Sequence, residues 1–366
     1  MWLCNINEIG NATIRGLLKV FATPQEIYYA NEKVLENTIK NNSKINDKVL
    51  DYIINSRNMD EIKRKKEYMD KKGVHFFSIE HQYFPEKLKN IQDYPYGLFT
   101  RGKVTDISKY LVKMSVAVVG ARNCTAYGRK MAHDISFELA MNRVNIISGM
   151  ARGIDKECHL GALDAGGMTF AVLGNGVDQC YPRENIELYE NILDNGALIS
   201  EYPPGRNPFA WQFPMRNRII SGLSDKILVV EARENSGSLI TVEHGLEQGK
   251  DIYVIPGKIT DELSKGCNRL IKEGAGVITS LDHLLEDFEL DGELASDKKC
   301  KKNKNKNYVL AKDLELLYSC VDYFPKSISQ IVQETGMDTL EVCRNIVRLQ
   351  MMGLVSEPSK NHYVKT

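Results

Sequence analysis

The spacing of hydrophobic residues changes along the chain, and each change predicts a different kind of structure. Over residues 1–70 apolar positions recur every three or four residues, as at Ile14, Leu17 and Phe21, which is typical of amphipathic helices. The segment is also rich in polar residues, as expected for helices with one exposed face. We therefore predict a small helical domain over residues 1–73, of the SAM or helix-hairpin-helix kind.

Two short signals lie within this helical segment. Thr23 before Pro24 is the pattern of a capping residue followed by the first turn of a helix. The turn from Gly10 to Ala12 is similar to the hairpin of a helix-hairpin-helix, whose backbone amides bind phosphates. That motif has a second glycine where this chain has Ala12. A helical domain that only packs is therefore the favoured interpretation.

Between residues 115 and 280 the apolar residues form short continuous runs, separated by stretches with helical spacing. Continuous runs are typical of parallel strands that are covered on both faces. Their alternation with helices predicts a doubly wound α/β domain, which we place at residues 74–290. The strands are predicted near residues 115–119, 145–148, 169–173, 197–200, 226–231, 251–255 and 276–278.

The remainder of the chain predicts a linker and a third domain. Residues 291–307 are polar and lysine-rich, which indicates a flexible basic linker with at most a weak, salt-sensitive affinity for polyanions. In residues 308–366, Ser327–Gln330 and Asp338–Glu341 both fit capping boxes of helices, and a strand–turn–strand pattern follows. This order predicts a winged helix. Its second helix carries arginines and carboxylates, so DNA binding and protein docking are equally open.

Composition narrows the class of protein. The 366 residues contain 48 basic and 48 acidic side chains, so the net charge of zero gives no support for a polyanionic or membrane partner. The eight cysteines are scattered singly, which is typical of reduced thiols rather than of disulfides or a zinc site. No segment has the length of a membrane span or the core of a signal peptide. We expect a soluble cytoplasmic protein without a metal site.

Two loops carry glycine and arginine directly after predicted strands: Gly120 with Arg122, and Gly149 with Arg152 and Gly153. Because each loop opens a helix, its free amides and the helix dipole favour an anion, and the arginine adds a guanidinium. Neither loop matches the G-x-G-x-x-G fingerprint, and the chain has no Walker A lysine, so neither a dinucleotide nor ATP is indicated. The two loops predict an edge that binds phosphate.

The helix after the second loop begins near Asp155, which we predict to cap or orient it. Asp155 and His159 are four residues apart and could offer two ligands to a metal ion. No third ligand is apparent, and a hydrogen-bonded pair on the helix is the favoured interpretation.

Further segments are predicted to join the phosphate-binding edge. One follows a tyrosine–proline turn, one begins a helix beside Trp211, and one opens another helix. Their predicted binding residues are Arg183, Phe213, Arg216, Asn217, Arg218, Ser236, Gly237 and Ser238. Rings beside cations are what a single-stranded nucleic acid requires, although a mononucleotide would need the same groups.

Taken together, these residues resemble the DNA-processing protein A family, also called Smf, of bacterial natural transformation. The resemblance covers roughly residues 75–285 and is specific because seven motifs occur in order. They are VGAR…YG, ISGMARGID…H…AL, AVLGNGVD…YPREN, ISEYPPG, FPMRNRIISGLS, VVEA…SGSLIT and VIPG. Thr125 replaces a usual serine and Cys158 a usual alanine, and neither change touches the arginines.

The resemblance implies an extended Rossmann-like domain, with a mostly parallel sheet, that binds single-stranded DNA without catalysis or a cofactor. It also implies a homodimer that loads the RecA recombinase onto incoming strands and helps to displace single-strand DNA-binding protein. Family positions in the DNA site correspond here to Arg122 and Arg183, and the FP-x-RNR segment borders the same pocket.

The alternative is an enzyme that acts on a nucleotide. Phosphoribohydrolases of a related fold carry T-x-x-E on a helix after a glycine loop. The segment Thr241-Val242-Glu243 here is similar, with one residue fewer between the threonine and the glutamate. A glutamate beside a ribose could stabilise an oxocarbenium-like transition state. The proline–glycine–glycine loop of those enzymes is absent, and Glu243 is better interpreted as a surface residue of its helix.

Overall fold

The computed structural model describes residues 1–6, 9–40, 48–282, 284–288 and 310–365. The chain divides into two compact units, Met1–Asn123 with Ala132–Asp291, and Cys124–Met131 with Gly292–Thr366. The first unit holds both the helical N-terminal segment and the large sheet. The linker predicted over residues 291–307 lies outside the described residues.

The N-terminal segment is helical, with a core made by its apolar faces. Its elements are η1 (Leu3–Asn5), α1 (Asn11–Leu18), α2 (Pro24–Tyr29), α3 (Glu32–Lys40), α4 (Val49–Asn55) and α5 (Met59–Lys72). Leu17, Ile27 and Leu35 are fully buried. The predicted cap of α2 is confirmed, because the Thr23 hydroxyl accepts the Glu26 N–H at 3.2 Å.

Polar contacts join helix α1 to the rest of the unit. The Arg15 guanidinium donates to Asp93 Oδ1 at 2.7 Å. Asn11 donates to Glu201 Oε2 at 2.7 Å and accepts the Tyr96 N–H at 3.0 Å. The side chain at the start of α1 is therefore engaged within the protein, as a packing role for this turn requires.

The sheet of the first unit is mostly parallel. Its strands are β1 (Val74–Ser78), β2 (Gly97–Arg101), β3 (Ser115–Val119), β4 (Asn145–Ser148), β5 (Thr169–Val172), β6 (Gly196–Ser200), β7 (Lys226–Val229), β8 (Asp251–Val254) and β9 (Gly276–Val277). They lie in the order β1-β2-β6-β5-β4-β3-β7-β8-β9. Winding runs outward in both directions from the β3–β7 neighbours, and open α/β sheets bind ligands at such a reversal.

The predicted doubly wound α/β fold is confirmed. Every strand predicted between residues 115 and 278 occurs, and β3 to β7 are buried along their whole length, as continuous apolar runs require. Strands β1 and β2 extend the sheet as an antiparallel edge pair, with β2 antiparallel to β6. Their place in the sheet depends on this pairing across about 100 residues, which local periodicity does not reveal.

Helices cover the sheet and complete its core. They are α6 (Glu86–Lys89), α7 (Ile107–Leu111), α8 (Ala126–Met141), α9 (Ile154–Asp164), η2 (Arg183–Asn185), α10 (Ile186–Asn195), α11 (Gln212–Leu223), α12 (Gly237–Glu247), α13 (Lys265–Lys272) and α14 (Leu284–Asp287). Ile147 and Phe170 of the strands and Ile219 of α11 have no exposed surface. No helix within the described ranges combines the length and apolarity needed to cross a membrane.

The C-terminal unit has the element order of a winged helix. Its elements are α15 (Lys312–Cys320), β10 (Lys326–Ser327), α16 (Ile328–Thr335), α17 (Thr339–Met351), β11 (Val355–Ser359) and β12 (His362–Lys365). The capping box of Ser327 with Gln330 is confirmed. Asp338 caps α17 through the Leu340 N–H at 3.0 Å, one residue short of the predicted box. The three strands pair in the order β10-β12-β11.

Candidate functional site

The two loops that follow β3 and β4 press against each other at glycines. A Cβ atom on Gly153 would lie 2.4 Å from the Ala121 carbonyl oxygen, and Gly153 has a φ of +69°. A Cβ on Gly120 would lie 2.7 Å from Ile154 Cγ1. Since no L side chain fits at either point, these glycines allow the loops to meet and hold Arg122 at the edge of the sheet.

The second loop already contains an anion of its own. The buried Asp155 carboxylate accepts the Gly149 N–H at 3.1 Å and the Ala151 N–H at 3.4 Å. Burial raises the pKa of Asp155, while the nearby Arg216 and these two amides act in the opposite direction. Asp155 therefore fixes the loop, and the prediction that it caps the helix is wrong, because the N-cap of α9 is Gly153 and receives no side-chain hydrogen bond. The amides of Gly149 and Ala151, which were predicted to face a ligand, are occupied by this carboxylate.

A cavity of about 370 Å³ lies at the carboxyl edge of the sheet, where the winding reverses between β3 and β7. It brings together predicted residues from three segments: Gly120, Arg122, Phe213, Arg216, Asn217, Ser236, Gly237 and Ser238. Its other lining residues are Val119, Ala151, Asp155, Pro214, Ile220, Ile240 and Thr241. This volume lies within the range of small-ligand sites in proteins.

Arg122 is the exposed cation of this cavity. Its guanidinium carbon lies 5.8 Å from the centre of the Phe213 ring, and the Tyr181 ring lies 5.5 Å from the same ring. Among the described residues no carboxylate forms an ion pair with Arg122. A guanidinium held by a ring and without an acidic partner can receive a phosphate bidentately.

Arg216 forms the floor of the cavity. It is 4% exposed and donates to the Gly149 carbonyl at 2.9 Å and to the Val172 carbonyl. A Cβ on Gly149 would lie 2.5 Å from Arg216 Nη2, so this glycine makes room for the guanidinium. Burial lowers the pKa of Arg216 to about 10, and the positive charge of Arg122 acts in the same direction. Arg216 therefore stays charged at neutral pH.

The N-terminus of α12 supplies the third wall. The Ser236 hydroxyl caps the helix by accepting the Ser238 N–H at 3.3 Å, and its oxygen lies 2.8 Å from Ser238 Oγ. Asn217 donates to the Gly237 carbonyl at 3.3 Å, which ties α11 to this turn. The hydroxyls and the positive end of the helix dipole face the same space as Arg122.

Other predicted site residues lie outside the cavity. Gly149 and Gly153 contribute close packing, and Arg183 is exposed on η2. Arg152 forms a bidentate ion pair with Glu184, at 2.6 and 2.7 Å.

Arg218 has the least exposed ion pair of the predicted arginines. Its guanidinium binds Glu201 at 2.7 and 3.0 Å and the Asp93 carbonyl at 2.8 Å. Its side chain is 5% exposed and that of Glu201 is 8% exposed. This placement gives Arg218 a packing role on the far side of α11 from the cavity lining, because helical residues two apart point in different directions.

The hypotheses of a metal site and of an enzyme gain no support from this geometry. The favoured hydrogen-bonded pair of Asp155 and His159 is wrong, because His159 Nδ1 lies 2.6 Å from Thr169 Oγ1 while Asp155 accepts loop amides. Burial lowers the pKa of His159 to about 3. Within the described ranges, no cluster of three or more His, Cys, Asp and Glu side chains is placed to hold a metal ion. Thr241 lines the cavity, whereas Glu243 is exposed and does not line it.

A family model and several relatives in sequence place the chain in one family. Residues 75–289 match the family model of DNA recombination-mediator protein A. DNA processing protein DprA of Streptococcus pneumoniae is 44% identical over 213 residues, 58% of this chain and 74% of that protein. Protein Smf of Synechocystis is 30% identical over 343 residues, 86% of each chain.

Two solved structures of DNA processing protein A are also similar to this chain. The X-ray structure of DprA from Streptococcus pneumoniae has a TM-score of 0.60 at 35% identity and covers 76% of this chain and 98% of that one. DNA processing protein A from Helicobacter pylori, solved to describe its single-stranded DNA binding mode, has a TM-score of 0.53 at 27% identity and covers 60% of this chain and 97% of that one.

Proposed function

The chain belongs to the family of DNA recombination-mediator protein A, and on this premise we propose that it binds single-stranded DNA as a recombination mediator and catalyses no reaction. The observation that carries the proposal is the pairing of Arg122 with the Phe213 ring at the mouth of the cavity. A cation beside a ring suits a strand that offers phosphates and unstacked bases at once.

In the proposed complex each group of the cavity interacts with a different part of the strand. Arg122 and the N-terminus of α12 hold a phosphate, while the Phe213 ring stacks on a base. The buried cation of Arg216 adds positive potential beneath them without direct exposure to solvent. None of these groups reads the edge of a base, so binding should be independent of sequence and should weaken as salt rises.

We further propose that the bound strand is passed to the RecA recombinase, that single-strand DNA-binding protein is displaced, and that a homodimer carries out this step in natural transformation. The support for these roles is the resemblance of seven ordered motifs to the family. Arg183 and Arg152 belong to the proposed DNA surface beside the cavity, with Arg152 dependent on release from Glu184.

The test is fluorescence anisotropy with labelled oligo-dT and with a duplex of equal length. Arg122→Ala should weaken binding of the single strand about ten- to hundredfold, since a charged hydrogen bond to phosphate contributes about 1.5–3 kcal/mol. Arg64→Ala is the matched control, because Arg64 is an exposed arginine of α5 that does not line the cavity. Equal affinity of Arg122→Ala and wild type would remove the cavity from the DNA site.

The absence of catalysis has its own test. The protein is incubated with nucleoside monophosphates, and free base is measured by chromatography. The exposed position of Glu243, away from the cavity lining, supports the expectation that no base is released. Release of base that stops in Glu243→Gln would establish the phosphoribohydrolase alternative.

A further inference from the structure

A second group of rings with a cation lies on the segment that precedes α11. Phe209 is 46% exposed and Trp211 is 55% exposed. The Arg206 guanidinium carbon lies 5.2 Å from the Phe209 ring centre and 5.9 Å from the Trp211 ring centre. Tyr202 meets Trp211 edge-on at 6.0 Å. None of these side chains lines the cavity.

The backbone beneath these rings is held by hydrogen bonds from a neighbouring loop. The Asp178 carboxylate accepts the Gly205 N–H at 2.8 Å, and the Arg206 carbonyl accepts the Gly176 N–H at 3.0 Å. The buried Gln212 side chain accepts the Phe209 N–H at 2.6 Å. Exposed rings on a fixed backbone lose little conformational freedom when they bind, which favours a role in recognition.

The charge of this patch is available to an anionic ligand. No carboxylate within the described ranges forms an ion pair with Arg206, in contrast to Arg152 with its partner Glu184. The Asp178 carboxylate below the patch is already bonded to Gly205 and to the Tyr68 hydroxyl, at 2.8 Å. The patch therefore offers rings with a cation and no free acid, the combination that attracts unstacked bases next to phosphates.

The patch adjoins the cavity along the chain. Trp211 is the N-cap residue of α11, and Phe213 of the first turn lines the cavity. Two residues of chain span at most about 7 Å, so the backbone positions of Trp211 and Phe213 are close enough for one strand to pass both within one or two nucleotides. Phe209, Trp211 and Phe213 thus lie within five residues of one segment, and the Tyr181 ring from another loop lies 5.5 Å from the Phe213 ring.

We infer that Arg206, Phe209 and Trp211 form a second stacking surface for unpaired bases of the same strand whose phosphate occupies the cavity. The inference rests on the proposed function. It lengthens the site from one nucleotide to several, and it requires a single strand because bases inside a duplex have no free faces to stack on these rings. Arg206 contributes both a cation–π contact and a positive charge beside the backbone of the strand.

The experiment uses the two tryptophans of the chain, Trp2 and Trp211. Trp2→Phe leaves Trp211 as the only source of tryptophan fluorescence. An unlabelled oligo-dT of about 20 nucleotides, longer than one binding site, is titrated into this variant while tryptophan emission is recorded. A parallel titration with a labelled copy of the same oligonucleotide measures binding by anisotropy. Stacking should quench Trp211 emission in parallel with binding, and a duplex of equal length should leave the emission unchanged.

Substitutions then measure the energetic role of the patch. Phe209→Ala and Trp211→Ala should each weaken oligo-dT binding about tenfold, and Trp211→Phe should restore most of the affinity because the ring is kept. Tyr29→Ala is the matched control, because Tyr29 is a 75% exposed ring at the end of α2, which does not line the cavity.

The outcomes separate this inference from the proposed function. Normal binding by the alanine variants, without quenching of Trp211, would overturn the stacking surface and leave the cavity in place. No binding of oligo-dT by the wild-type chain would overturn both. A change of Trp211 emission with protein concentration in the absence of DNA would assign the patch to self-association and overturn the inference. Quenching by oligo-dT, with loss in Trp211→Ala and rescue in Trp211→Phe, supports it.

Discussion

The loops after β3 and β4 have the same ingredients, a glycine turn and an arginine at the start of a helix, but they differ in what surrounds the arginine. Within the described residues Arg122 of the first loop has no carboxylate partner and stands over the Phe213 ring. Arg152 of the second loop is paired with Glu184, and the amides of that loop bind Asp155. The first loop is available to an external anion. The second loop already binds two carboxylates of the protein itself.

This difference shows that a glycine–arginine loop has two stable uses. With its own carboxylate the loop becomes a rigid support, because a buried acid that accepts backbone amides fixes their direction. Without a carboxylate beside it, the arginine of the loop remains available to a ligand. The second loop supports the first, since Gly153 lies against the backbone of Ala121 and Arg122.

The largest expected effect comes from breaking the contact between the loops. Gly153→Ala should lower the free energy of unfolding by about 3 kcal/mol, because the φ of +69° strains an L residue and the new Cβ meets the Ala121 carbonyl. Urea denaturation measures the change. Gly166→Ala is the matched control, with a φ of +67° and no atom within 4 Å, and should cost about 1 kcal/mol. Equal losses would mean that the contact between the loops contributes nothing.

The helix that follows the second loop, α9, carries the buried His159. This residue predicts that the stability of the protein depends on pH. Because burial lowers the folded pKa of His159 to about 3, the unfolded chain binds more protons than the folded chain between pH 3 and about 6.5. The stability that depends on neutral His159 is thus present above pH 6.5 and lost as the pH falls. The loss from pH 6.5 to 5 should be about 2 kcal/mol.

Urea denaturation at several pH values tests this expectation. His159→Gln should make the acid loss of stability less steep. His133 is a contrasting control, since hydrogen bonds to Asp134 and Asp164 raise its pKa. A raised folded pKa gives stability at low pH, so His133→Gln should make the acid loss steeper. Identical pH profiles for wild type and His159→Gln would contradict the buried neutral imidazole.

The smallest effect is expected from a substitution that leaves Arg152 without a carboxylate partner, as Arg122 is in the first loop. Glu184→Gln removes the partner of Arg152 and should strengthen binding of oligo-dT about threefold, as an exposed ion pair of up to about 1 kcal/mol is released. Arg152→Ala in the wild-type background should change the affinity less than twofold. Anisotropy at low salt measures both. A large loss in Arg152→Ala would show that both loops bind the strand equally.

Local signals predicted much of this molecule. The continuous apolar runs gave the parallel strands, and Thr23-Pro24 and Ser327–Gln330 gave helix starts that the structure has. The placement of Gly120, Arg122 and Ser236 at one edge follows from the rule that parallel strands end on the same side. These features depend on residues close in the chain or on the topology of the sheet.

Contacts between residues that are distant in the chain could not be predicted from such local patterns. The partners of Arg218 are 17 and 125 positions away, so the sequence offered no way to see that this arginine is committed to a buried pair. Arg152 is neutralised by Glu184, 32 positions along. The grouping of Arg206 with Phe209 and Trp211 is local, but it has no named motif, and the turn that exposes it is held by Asp178 from another loop.

Helices α1 and α11 share two carboxylates, and this sharing limits how the chain can be recombined with its relatives. The Glu201 carboxylate accepts from Asn11 and Arg218. The Asp93 carboxylate accepts from Arg15 and forms an ion pair with Arg218 at 3.3 Å. A chimera that joined the sheet domain to N-terminal helices lacking Asn11 and Arg15 would leave Glu201 and Asp93 each with one donor fewer. Grafts between homologues should therefore be more stable when the donor segment brings an asparagine and an arginine at these positions.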